Sequence, residues 1–183
     1  MFMRSKGYRG ANVKGCTFLM KILGIDPGLA LMGYGVIDTN NDKVTLLECG
    51  VIVTKADMPF PERLWAIYTN IKQLLSKYTP DCVAFEELFS GKNVKTVIQV
   101  AQARGAAMAA AFDSGAGLYE YTPIQIKQAV VGYGRADKKQ VQEMVRLFLG
   151  LGDVIKPDDA ADAVACAICH AHSCRFAENF RIK

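Results

Sequence analysis

Apolar positions along this chain follow two rhythms. Short, nearly continuous apolar runs of strand length occupy residues 20–26, 32–38, 43–54, 82–86 and 117–121. Elsewhere they recur every three or four residues, as in Leu64, Ile67, Tyr68, Ile71, Leu74, Leu75 and Tyr78, which marks a helix opened by Pro59 and Pro61 and ended at Thr79-Pro80. A long helix is predicted from about Asn93 to Asp113, a short one from the Thr122-Pro123 cap to Val131, and two more over 137–149 and 159–172. Thr39-Asn40-Asn41-Asp42 has hairpin-turn chemistry, and Gly50 is a candidate bulge in the third strand.

The resulting order is β-β-β-α-β-α-β-α-α-α. Three antiparallel strands followed by strand–helix alternation predict an α/β fold: a mixed five-stranded sheet flanked by helices on both faces. At 183 residues the chain suits one domain. We expect that domain over 20–173, with a basic N-terminal extension at 1–19 and a C-terminal tail at 174–183. The extension lacks hydrophobic periodicity and reads as a disordered leader or an upstream start; a transit peptide is the alternative. The helix at 93–113 is rich in alanine and glycine, a face that admits close approach by the sheet or by a second subunit.

Composition adds little to this picture. The chain is 51% hydrophobic and 22% charged, as soluble proteins are, and no apolar run is long enough to span a bilayer. The net charge of +4 comes from the leader: without Arg4, Lys6, Arg9 and Lys14, 18 basic residues face 18 acidic ones. A nucleic-acid signal must therefore lie in how charge is distributed. Six cysteines set mostly in apolar patterns read as reduced thiols of a cytoplasmic protein.

Four acids interrupt apolar sequence. Asp26 ends the first strand, Glu86 ends the fourth, and Asp159 and Asp162 stand at i and i+3 on the last helix, with Asp158 a candidate cap. Each alone reads as a solvated loop acid or a helix cap. Jointly, and provided that strands one and four are neighbours, they can surround one point. Four such carboxylates suit two magnesium ions about 4 Å apart, the arrangement that clamps a phosphodiester under attack. Lys92, Lys95, Arg104, Lys127, Arg135, Lys138 and Lys139 face only Asp113, Glu120 and Asp137 over the same stretch. That local excess is a candidate phosphate-binding surface, with a solvated helix face as the alternative. Phe89, in a polar loop after Glu86, is placed either to stack on an unpaired base or to fold back on the core. Cys166-Ala-Ile-Cys169-His170 matches a haem-attachment pattern, but inside an alanine-rich helix it reads as packing, so neither haem nor zinc is expected.

Gly24-Ile-Asp-Pro-Gly28, Phe85-Glu86, Gln102-Ala-Arg-Gly105, Val130-Val-Gly-Tyr-Gly134 and Asp159-Ala-Ala-Asp162-Ala together resemble the RuvC family of Holliday-junction resolvases from Met20 to about His172. The resemblance implies an RNase H-like fold, a homodimer, and symmetric hydrolysis of two opposing strands of a four-way DNA junction, leaving 5′-phosphate ends. It further implies Asp26, Glu86, Asp159 and Asp162 as the catalytic and metal-binding set, with Glu86 rather than Glu87. Magnesium, two ions per subunit with manganese as substitute, is the implied cofactor. The resemblance gives Phe89 the stacking role and places Lys127 and Lys138 at the active site, the other five basic residues being expected DNA contacts from the charge excess alone, and a RuvA–RuvB branch-migration complex is the implied partner. Two other readings compete. An actin-like ATP-binding module needs a duplicated domain that is not seen, and a binding protein with a decayed site would not keep four acids.

Overall fold

The computed structural model describes residues 19–40, 43–88 and 93–182. Among them run β1 (Leu19–Asp26), β2 (Leu31–Asn40), β3 (Lys43–Val53), α1 (Phe60–Tyr78), β4 (Cys82–Glu86), α2 (Val94–Ser114), β5 (Gly117–Tyr121), α3 (Pro123–Val131), α4 (Lys138–Leu149) and α5 (Asp158–Ser173), then a short 3-10 helix over Cys174–Phe180. The order matches the one predicted from hydrophobic rhythm. The sheet runs β3-β2-β1-β4-β5. The first three strands are antiparallel, while β4 pairs parallel to β1 and β5 parallel to β4. Strands one and four are therefore neighbours, the condition on which the convergence of the acids depends.

Period-two alternation sends successive side chains to opposite faces. Leu23 and Ile25 of β1 and Val83 and Phe85 of β4 pack under α1 and α2. Ile22, Cys82 and Ala84 point the other way, into a core shared with α3, α4 and α5. Asp26 and Glu86 follow that second parity and emerge on the face that α5 covers.

Helix α5 is buried on all sides: Ala160, Ala161 and every residue from Ala163 to His170 are inaccessible. A helix so enclosed has no polar stripe to keep. Its seat is made of glycine. A Cβ on Gly24 would lie 2.0 Å from the Ala163 carbonyl oxygen, one on Gly33 would lie 2.0 Å from that of Asp159, and one on Gly35 would lie 2.4 Å from Val164 Cγ2. Helix backbone thus rests directly on the β1–β2 hairpin.

Two local expectations change. The bulge in β3 is not at Gly50. Register shifts where Val36 faces Glu48 and Ile37 faces Leu46, so Leu47 is the extra residue. Gly50 is small for another reason, since a Cβ there would lie 2.8 Å from the Tyr34 hydroxyl. The hairpin is also tighter than its turn chemistry suggests. Thr39 and Asn40 belong to β2, with Asn40 paired to Lys43, and Asn41 and Asp42 lie outside the described residues. The predicted leader likewise lies outside them, except for Leu19, which starts β1. In the segment expected as a tail, Arg181 bridges antiparallel to Tyr119 and the Ile182 N–H donates to the Leu118 carbonyl at 3.0 Å, so it covers the β5 edge.

Candidate active site

The acids meet where β1 and β4 end. Register between these strands runs to Ile25 opposite Phe85, and the next residue on each is an acid, Asp26 and Glu86. Helix α5 crosses above, held down by the glycine seat. Gly33 is the hinge of the arrangement: it pairs with Asp26 in the sheet, and a Cβ there would touch both Asp26 Cβ, at 3.2 Å, and the Asp159 backbone. Two strand ends and one helical turn are thereby fixed against each other by backbone contact.

The carboxyls act on one another's charge. Burial pushes the Asp26 carboxyl up to about 7, helped by the charges of Asp162 and Asp159 and opposed by Lys138. Burial likewise pushes Glu86 up to about 8, reinforced by Asp26 and Asp162 and opposed by Lys127 and Lys138. Asp162 is also raised, by burial first, against the hydrogen bond and charge of Lys138. Burial first, and one another's charge second, hold these carboxyls above their ordinary range, and the ammonium groups of Lys127 and Lys138 offset only part of that.

Beside them is a cleft of about 240 Å³ whose walls include Glu86, Ile126, Lys127, Lys138, Val141 and Asp162. Capping boxes start the helices that build it: Thr122 with Gln125 opens α3, and Asp137 with Gln140 opens α4. Lys127 lies on the first and Lys138 begins the second. Lys138 Nζ is 3.0 Å from Asp162 Oδ2 and 3.4 Å from Asp158 Oδ2. Asp158 is inside α5 rather than capping it, and its Oδ1 accepts from Gln142 Nε2 at 2.8 Å. The Lys138–Gln142 pair was missed in the sequence, although i,i+4 spacing on α4 marks them as one face.

The other expected residues are dispersed. Arg135 and Lys139 are exposed near the start of α4, and Lys95 lies in a shallow groove with Phe60, Val94, Ile98, Gln99 and Gln102. Arg104 departs from the expected DNA contact. It packs on the opposite sheet face, its Nη2 2.6 Å from Glu120 Oε2 and its guanidinium 5.7 Å from the Phe85 ring centre, with only 17% of the side chain exposed. Its charge is engaged within the fold. Phe89 and Lys92 lie outside the described residues. Glu87 is exposed and its N–H donates to the Tyr121 carbonyl at 2.9 Å, so it extends the sheet rather than facing the cleft.

Among the described residues no three Asp, Glu, His or Cys side chains are drawn together as a ready-made ligand cage. The donor set nonetheless fits a hard divalent cation. It consists of oxygens only, they are partly buried, and their mutual repulsion is what a cation would relieve. The Cys166 and Cys169 thiols pack in the core, and His170 Nδ1 is 2.8 Å from the Tyr121 hydroxyl, an arrangement of packing and hydrogen bonding.

A mixed sheet of this order with acids at the adjoining ends of β1 and β4 and on the covering helix defines an RNase H-like nuclease. Comparison with known proteins narrows the class. The family profile described as Crossover junction endodeoxyribonuclease RuvC matches residues 22–170, and the chain belongs to that family. Among its relatives, the crossover junction endodeoxyribonuclease RuvC of Clostridioides difficile is 56% identical over 154 residues, which are 84% of this chain and 91% of that protein. The one from Alkaliphilus oremlandii is 52% identical over 164 residues, 90% of this chain and 100% of that protein. Among solved structures, T. thermophilus RuvC in complex with a Holliday junction substrate superposes with a TM-score of 0.85 at 36% identity, covering 89% of this chain and 99% of that one. The yeast mitochondrial Holliday junction resolvase shares the fold, with a TM-score of 0.61 at 16% identity over 90% of this chain and 88% of that one.

Proposed function

We propose that this chain resolves four-way DNA junctions by hydrolysing one phosphodiester in each of two opposing strands, with Asp26, Glu86, Asp159 and Asp162 as the catalytic carboxylates. Family membership supports the reaction. The observation that carries the residue assignment is the pair of half-buried strand-end acids, Asp26 and Glu86, raised to about 7 and about 8 by burial and by their neighbours. Such acids take up protons, or cations beyond the charge that Lys127 and Lys138 supply. The cations are magnesium, two per subunit, with manganese as substitute. Bound there, they supply Lewis-acid stabilisation of the charge that builds on the attacked phosphate.

The chain's own residues do the rest. Lys127 and Lys138 hold fixed positive charge at the cleft, where a phosphate backbone would enter, and Arg135 and Lys139 extend that charge across the exposed start of α4. Lys95, Lys92 and Phe89 complete the proposed contact surface, with Phe89 stacking on a base at the junction centre. Arg104 acts through Glu120 and Phe85, not through phosphate. Glu86 and Asp26 must lose their protons for cations to enter, which makes the site sensitive to pH near neutrality.

Two cuts related by symmetry need two sites related by a two-fold axis, so the working form is a homodimer. Ala101, Gly105 and Ala109 form an exposed small-residue stripe on α2, flanked by exposed Ile98 and Phe112, and this is the proposed interface. A RuvA–RuvB branch-migration complex is the proposed partner. No helix among the described residues is long and apolar enough to cross a membrane, and we place the protein in the cytoplasm, with its DNA substrate. The proposed nuclease domain spans 20–173, with residues 181–182 packed along its β5 edge.

The test is cleavage of a synthetic four-way junction against linear duplex, with and without magnesium. Wild type should cut the junction only with the ion. Asp26→Asn should lose cleavage by at least about 100-fold while binding the junction as before. Survival of cleavage would remove Asp26 from the site.

A further inference from the structure

One carboxylate beside the cleft has no part in that scheme. Asp158 precedes Asp159 on the first turn of α5 and is exposed. Its two oxygens are both used. Oδ1 accepts from Gln142 Nε2 at 2.8 Å, and Oδ2 lies 3.4 Å from Lys138 Nζ. The same ammonium is 3.0 Å from Asp162 Oδ2. Lys138 and Gln142 are one turn apart on α4, so a single helix face presents the cation and the amide that orients its second acceptor. Lys138 is therefore shared between a carboxylate of the proposed cation site and one outside it.

We infer that Asp158, oriented by Gln142, is a positioning residue: the carboxylate that receives Lys138 when a divalent cation takes Asp162. The inference rests on the metal reading given above. Asp162 cannot serve an ammonium and a divalent cation equally, because the two positive charges repel at such distances. With Asp158 in place the ammonium moves from one carboxylate to the next and stays at the cleft, available to a phosphate. Without it, Lys138 has two options. It remains on Asp162 and competes with the incoming ion, or it swings into water on its flexible four-carbon stem, half-exposed as it already is. Gln142 makes the receiver ready in advance, since its amide holds the Asp158 rotamer.

The measurement is manganese binding to the full-length chain by titration calorimetry in wild type, Asp158→Asn, Lys138→Gln and the double variant. Asparagine keeps an oxygen for Gln142 and removes the charge that Lys138 needs. Asp158→Asn should weaken manganese binding about fivefold when Lys138 is present and less than about twofold in the Lys138→Gln background. Gln142→Leu, which frees the receiver without touching any charge, should weaken binding in the same direction and to a smaller extent. Equal losses in both backgrounds would show that Asp158 acts as a distant charge and overturn the inference, as would no loss in either. Failure of the underlying metal reading looks different: wild type would bind no manganese, or Asp162→Asn would bind it as well as wild type. Thermal melts of each variant establish that it is folded before its affinity is compared.

Discussion

Asp26 and Glu86 make stability depend on pH in an unusual direction. The folded chain keeps protons on these groups up to about 7 and about 8, whereas in the unfolded chain ordinary carboxyls have released theirs at about 4. Raising pH across that window therefore favours unfolding. We expect the melting temperature of the metal-free protein to fall between about pH 5 and pH 8, by about 2–4 °C for each kcal/mol lost. An Asp26→Asn, Glu86→Gln variant should lose most of that slope, and calorimetric melts at several pH values check it. A flat wild-type profile would contradict the burial of like charges at the site. The four acids were legible in sequence because each interrupts an apolar run, and their parity on β1 and β4 followed from alternation. The partners of Asp158 and Arg104 were not legible. Gln142 and Glu120 are each 16 residues away from them along the chain, and only packing of α4 on α5 and of α2 on β5 brings them near.

At the scale of elements, α5 is the piece that turns a fold into a site. Its alanines permit burial on every side, and the glycines beneath admit its backbone to the sheet. Gly33→Ala would drive a methyl into the Asp159 carbonyl, and Gly24→Ala one into that of Ala163. Each should cost about 1–3 kcal/mol by overpacking and displace Asp159 and Asp162 from Asp26. Urea unfolding gives the loss in stability, and junction cleavage should fall further than stability alone explains. Gly152→Ala is the control, since that glycine is exposed and nothing lies within 4 Å of a Cβ there. The sequence marked every α-helix and strand here because rhythm and caps are local, but not the 3-10 helix over Cys174–Phe180, which it read as a tail. It missed the glycine seat because a glycine in a strand says only that something approaches, not what.

For the molecule as a whole, the sheet divides two kinds of work. The face under α5 holds the acids, and the face under α1 and α2 is a plain apolar core whose outer helix presents a stripe of small residues. Placing the proposed interface on α2 leaves the cleft between α3, α4 and α5 open to DNA in both subunits. Ala109→Arg, at an exposed point of that stripe, should leave the subunit folded and shift it from dimer to monomer at micromolar concentration. Sedimentation checks the mass, and in a junction assay the two strands should then be cut independently rather than together. A wild type that sediments as a monomer would move the interface elsewhere or remove it.

The glycine seat has a consequence for how such a protein changes over generations. Gly24, Gly33 and Gly35 carry no charge and have no side chain to offer a substrate, yet they set the height at which two of the four acids stand. Their neighbours in the core can exchange one aliphatic group for another and repack. These three have no smaller residue to retreat to and no larger one that fits. A lineage that lost the need to cut DNA would shed its acids freely but would still keep the glycines in order to fold, and so would retain the outline of the vanished site in positions without side chains.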